Sequence, residues 1–136
     1  ALYAQGEDLH VAIWPGGLHN TQDITRFIAK EGRSYVMSVS SLMRPADFPL
    51  DTPYLDEILQ DCPEYFANGG SCIAAPTGEW LLEPQVGEEA VYCATLDHHL
   101  VYEERQNFDP VGHYSRPDVT QLIVNRERQA TAKFIG

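Results

Sequence analysis

Between Gly6 and Ser40 the chain reads as strand, helix, strand, and this succession constrains its fold more than any other feature. Leu9-His10-Val11-Ala12-Ile13 is a short apolar run bounded by Gly6 and by Trp14-Pro15-Gly16-Gly17. A run of that length closed by turn residues predicts a buried strand followed by a tight loop. Asn20 or Thr21 is the expected cap of the next element. Ile24, Phe27, Ile28 and Glu31 then fall at i, i+3, i+4 and i+7, which predicts a helix with its apolar members on one face, closed at Gly32. Tyr35 to Ser40 is rich in strand formers. The spacing is that of a βαβ unit and leaves the relative strand direction open.

Downstream, Pro45, Pro49 and Pro53 predict a loop over 41–53, and Tyr54 to Asp61 a short helix ended near Pro63. Asn68-Gly69-Gly70 reads as a turn. Ser71 to Ala75 and Trp80 to Leu82 flank Pro76-Thr77-Gly78-Glu79 and predict a hairpin. Glu89 to Leu96 reads as a strand, and Asp97 as the cap of a helix over 98–106. Phe108 to Gly112 breaks the pattern, Gln121 to Asn125 reads as a last strand, and a polar tail follows from Arg126. Ala1 to Gln5, stopped by Gly6, reads either as the last turn of a longer helix or as a frayed terminus.

The length of 136 residues fits one domain. With 9 basic and 20 acidic residues the net charge is −11, which argues against nucleic acid or an anionic membrane as partner. No apolar run approaches the ~20 residues of a membrane span. Three cysteines without a CxxC pair suggest neither a zinc knuckle nor a disulfide framework, and a reducing, cytoplasmic location is the default expectation.

The residues themselves display no catalytic set. Cys62 precedes a proline in a loop, while Cys72 and Cys93 lie in apolar strand-like runs and read as buried packing. No GxSxG elbow occurs. His98-His99 are adjacent and diverge on a helix, and His10 and His19, flanking a strand end, are a weak metal signal. Gly16-Gly17 and Gly69-Gly70 lack the context of a phosphate loop. Glu88-Glu89 and Glu103-Glu104 read as solvated faces, and Glu31 and Arg33 as ion-pair formers. Trp14-Pro15-Gly16-Gly17, at the carboxyl end of a strand, is the best pocket candidate, with a packed aromatic beside a turn as the equal alternative. The result is an acidic α+β or α/β domain of the soluble class, with no metal or cofactor implied.

Several segments taken together resemble the C-terminal half of nitrilases, in the carbon–nitrogen hydrolase superfamily. They are Ala1-Leu2-Tyr3-Ala4-Gln5-Gly6, His10-Val11-Ala12-Ile13-Trp14-Pro15-Gly16, Ile28 to Ser38, Gly69-Gly70-Ser71, Gly87-Glu88-Glu89, Ala94-Thr95-Leu96-Asp97, and Phe108-Asp109-Pro110-Val111-Gly112-His113-Tyr114-Ser115-Arg116-Pro117-Asp118-Val119. The likeness covers residues 1–125, leaving 126–136 as the tail. It implies an α+β fold of the four-layer αββα sandwich type, of which this chain forms the C-terminal half. It also implies pairing of sandwiches through their helical faces into a homo-oligomer.

The family mechanism uses a Cys nucleophile, a Glu base, a Lys and often a second Glu to turn a nitrile into a carboxylic acid and ammonia. Their motifs map upstream of Ala1, and Cys62, Cys72 and Cys93 do not match the nucleophile, so no catalytic residue is expected here. The resemblance implies Trp14, Pro15 and Gly16 as substrate-pocket residues, Trp14 being an apolar wall that shapes specificity and Pro15 positioning it. It implies a sandwich or interface role for the helix over 20–33. His113, Tyr114, Arg116 and Asp118 read as structural or interface residues, Arg116 having the fork for a bidentate carboxylate pair. The implied partners are a missing N-terminal half carrying the catalytic residues, a second copy and a small nitrile. Half a sandwich would leave apolar faces exposed. Two alternatives are a non-catalytic assembly module and a small α+β enzyme using one of its own cysteines, which would require a base near Cys62 that no pairing in the sequence points to.

Overall fold

A computed structural model describes the chain except for Arg128, Gln129 and residues 133–136, so part of the expected tail lies outside the described residues. Among the described residues three α-helices and five strands form an α+β architecture around one sheet. The strands are β1 (Leu9–Trp14), β2 (Tyr35–Ser40), β3 (Leu42–Met43), β4 (Ala67–Ala74) and β5 (Trp80–Val86). The helices are α1 (Leu18–Gly32), α2 (Leu55–Leu59) and α3 (His98–Asn107). As expected, strand, helix and strand succeed one another. β1 and β2 are parallel, Leu9 lying opposite Tyr35 and Trp14 opposite Ser40. The crossover through α1 is what permits that direction. β2 and β3 pair antiparallel with β4 in the same register, and β5 closes the expected hairpin on the other side of β4.

Asn68-Gly69-Gly70 corrects the sequence reading: it lies inside β4 and is no turn. Gly70, at φ 103°, is there because α1 crosses so closely. A Cβ on Gly70 would sit 2.7 Å from Thr21 Oγ1 and 2.9 Å from Leu18 Cα. The close crossing also settles which side of α1 faces the sheet. Thr21, Thr25, Ala29 and Gly32 are buried, while Phe27 of the apolar stripe is 58% exposed. Small side chains let the helix axis approach, and Ala29, Val36 and Ala74 form the core with Ile28 and Trp80 packed around them.

The start of α1 also departs from expectation. It begins at Leu18, ahead of Asn20 and Thr21, because the Leu18 N–H donates to Asn68 Oδ1 at 2.9 Å. A residue on β4 thus supplies the cap. Its other end uses Arg33, in the left-handed region at φ 50°, after Gly32.

α3 follows its Asp97 cap as expected, the His99 N–H donating to Asp97 Oδ1 at 3.0 Å. Its anchorage is mostly polar. Arg33 pairs with Glu104 at 2.7 Å, so Glu104 is no solvated bystander. Asp8, just before β1, receives His98 at 2.5 Å and Arg105 at 2.8 Å. The hydrogen bond from His98 is the first cause holding the Asp8 carboxyl below its usual range. Val101 is the buried apolar residue of α3.

Two expected strands do not form. Residues 89–96 and 121–125 are irregular and almost wholly exposed, Val91 to 94% and Ile123 to 88%. Their composition suits a strand, but a strand needs a neighbour to take its backbone hydrogen bonds. The sheet face turned away from α1 is bare as well: Leu9, Val11, Ile13 and Val39 are exposed, Ile13 to 83%.

Candidate functional site

The loop from Trp14 to Leu18 leaves the carboxyl end of β1 and is held on every side. Trp14 is half-buried, and its indole N–H donates to Ser38 Oγ on β2 at 3.1 Å. The Pro15 carbonyl accepts from Ser41 Oγ at 2.9 Å. Gly16 has φ 122°, and a Cβ there would lie 2.4 Å from Ala67 Cβ, so no side chain fits without displacing β4. The Gly16 carbonyl accepts from Asn20 Nδ2 at 2.5 Å. The Gly17 N–H donates to the Gly69 carbonyl at 3.1 Å, and the Gly69 N–H to the Ser41 carbonyl at 3.1 Å. Asn68 and Gly69 therefore clamp the loop, which sequence reasoning missed because both read as turn residues. Ser40, the register partner of Trp14, carries a buried hydroxyl with no hydrogen-bond partner.

Beside this loop opens a cavity of about 340 Å³. Gly17, His19 and Asn68 line one side, and Pro63 to Phe66 the other. Trp14, Pro15 and Gly16, the residues singled out from sequence, do not line it. They shape the loop behind it, and the residues that reach the cavity are their neighbours. A larger hollow of about 560 Å³ lies between the first residues and the 110–122 segment. Arg116, on its wall, forms the bidentate pair its geometry allows, with Asp118 at 2.8 and 2.6 Å.

Cys72 is buried, and its thiol donates to Thr25 Oγ1 at 3.6 Å. Burial pushes its pKa up, and the hydroxyls around it offset this only in part. That is the environment of a packing cysteine. Cys93, expected in a buried strand, is exposed because residues 89–96 form no strand, and Cys62 is half-buried. His10 engages Glu7 at 3.2 Å, whereas His19 faces the cavity. Among the described residues no three His, Cys, Asp or Glu side chains are grouped to hold a metal ion, and no helix is long and apolar enough to cross a membrane.

No family model matches the sequence. Curated relatives match it along its length. Nitrilase 2 of Arabidopsis thaliana is 37% identical over 139 residues, covering 100% of this chain and 41% of the relative. A bifunctional nitrilase/nitrile hydratase of Lupinus angustifolius is 34% identical over 91% of this chain and 36% of its own length. An aliphatic nitrilase of Sinorhizobium fredii is 32% identical over 93% of this chain and 41% of its own. The chain thus spans about two fifths of the length of these relatives. Matched over nine tenths or more of its length by nitrilases of plants and bacteria, it belongs to the nitrilase family.

Proposed function

We propose that the chain is the C-terminal portion of an enzyme that hydrolyses a nitrile to a carboxylic acid and ammonia. In the complete enzyme a Cys thiolate outside this segment attacks the nitrile carbon and gives a thioimidate. Water releases ammonia and leaves an acyl-enzyme, and a second water frees the acid. This segment contributes the loop at the carboxyl end of β1, whose Trp14, Pro15 and Gly16 lie behind the cavity described above and would form pocket wall only where the rest of the enzyme completes the site, and it contributes surface for oligomer contacts. It contributes no catalytic residue.

The observation that carries this reading is the match over more than nine tenths of the chain to nitrilases more than twice as long. The bare apolar face of Leu9, Val11, Ile13 and Val39 supports it, since a two-sheet sandwich covers such a face with its second sheet. The unpaired segments at 89–96 and 121–125 would find their neighbours in the same remainder or in a second copy. The loop at the carboxyl end of β1 sits where open α/β sheets gather ligands.

The test is co-expression of this chain with the complementary N-terminal portion of Nitrilase 2 of Arabidopsis thaliana, followed by native mass measurement and ammonia release from a nitrile panel. A two-polypeptide particle that releases ammonia supports the proposal. Ammonia release by the chain alone, abolished by Cys62→Ala, overturns it in favour of a small self-contained enzyme.

A further inference from the structure

Beneath Trp14 a line of polar groups crosses from the helix layer into the sheet. An indole N–H can only donate, so Ser38 Oγ accepts from Trp14 at 3.1 Å. Ser38 Oγ also lies 2.5 Å from Thr25 Oγ1 on α1. Thr25 Oγ1 in turn accepts from Cys72 on β4 at 3.6 Å. Thr25 is 0% exposed and Ser38 and Cys72 are each 1% exposed, so the Thr25–Ser38 and Cys72–Thr25 bonds are shielded from water, while the Trp14 end of the line is half-buried. A threonine inside a helix ordinarily turns its hydroxyl back to a carbonyl of its own helix. Thr25 instead points it at β2. In a dry helix–sheet interface such a chain of donors and acceptors admits few arrangements, because each misplaced group is left unpaired.

We propose that Thr25 and Ser38 are positioning residues for Trp14: their hydroxyl line fixes the indole at the carboxyl end of β1, and through it the choice of nitrile. The proposal deepens the reading of Trp14 as pocket wall and rests on it. Thr25 acts from α1, through Ser38, and need not touch substrate.

The experiment uses the 136-residue chain carrying Trp80→Phe, in which Trp14 is the sole tryptophan. Thr25→Val keeps the shape and removes the hydroxyl, and Thr25→Ser restores it. Ser38→Ala removes the acceptor itself. The expected result is a red-shifted Trp14 emission with lower anisotropy in Thr25→Val and Ser38→Ala, and parent-like spectra in Thr25→Ser, with far-UV circular dichroism unchanged. An unchanged Trp14 signal in folded Thr25→Val overturns the proposal, since a packing role alone is preserved by valine. If Ser38→Ala fails to fold, the Thr25→Val and Thr25→Ser pair decides. A separate arm substitutes Trp14→Ala in the co-expressed two-polypeptide particle. Unchanged nitrile preference there refutes the pocket-wall reading while leaving the hydroxyl line standing.

Discussion

Gly70→Ala tests whether the close approach of α1 to β4 organises the candidate site. The substitution carries two costs. At φ 103° an L-residue is strained, at about 1–3 kcal/mol. The new Cβ would also stand 2.7 Å from Thr21 Oγ1, 2.9 Å from Leu18 Cα and 3.2 Å from Leu18 N. Two of those atoms are backbone, so the first turn of α1 must move, and overpacking of this kind costs about 1–3 kcal/mol. Together the loss is about 4 kcal/mol, a large share of the ~5–15 kcal/mol that holds a domain folded. At an m-value of about 2 kcal/mol/M in urea, the unfolding midpoint should fall by about 2 M. Gly6→Ala is the control, because Gly6 has φ 73° with nothing within 4 Å of a Cβ. It carries strain alone, about 1 kcal/mol. Urea titrations followed by circular dichroism compare the two. Equal midpoint shifts would refute the claim that the helix crosses β4 at glycine-limited distance.

Other expectations follow from the same contacts. Asn68→Ala removes the acceptor for the Leu18 N–H and should lower stability by about 1 kcal/mol, while Asn68→Asp, which keeps an acceptor and adds negative charge at the helix start, should retain it; thermal melts separate the two. A thiol-reactive dye should label Cys93 fastest and Cys62 more slowly, and Cys72 only on unfolding; three equal rates would contradict the burial pattern. The pKa of Asp8 is lowered in the folded state, so its contribution is present above the unfolded value of about 3.9 and is lost as pH falls through the folded value. Parent and Asp8→Asn should therefore differ in stability at neutral pH and converge on acidification.

Local signals in the sequence were read correctly where they were self-contained. The β1–α1–β2 succession, the β4–β5 hairpin, the Asp97 cap and the left-handed Gly6 are each decided by a few adjacent residues. The failures share a cause, which is dependence on distant partners. Asn68 caps a helix that begins 50 residues earlier, and nothing near Leu18 announces it. Gly69 and Gly70 look like turn residues, yet their lack of side chains serves contact across the fold. Periodicity marked Ile24 and Phe27, but the close crossing buries Thr21 and Thr25, whose hydroxyls find Leu18 and Ser38. Residues 89–96 and 121–125 have strand composition without a neighbouring strand. At the site, the Trp14 loop was legible as the end of a strand, whereas the cavity beside it depends on Pro63 to Phe66, a loop distant in sequence.

The central proposal is that this chain is one portion of a longer nitrile-hydrolysing enzyme and contains none of its catalytic residues. Ammonia release from a panel of aliphatic and aromatic nitriles, measured with the purified 136-residue chain alone and with its Cys62→Ala, Cys72→Ala and Cys93→Ala variants, tests it most directly. The account predicts no release above buffer from any of the four. Sustained turnover by the parent chain that disappears in one folded cysteine variant would contradict it.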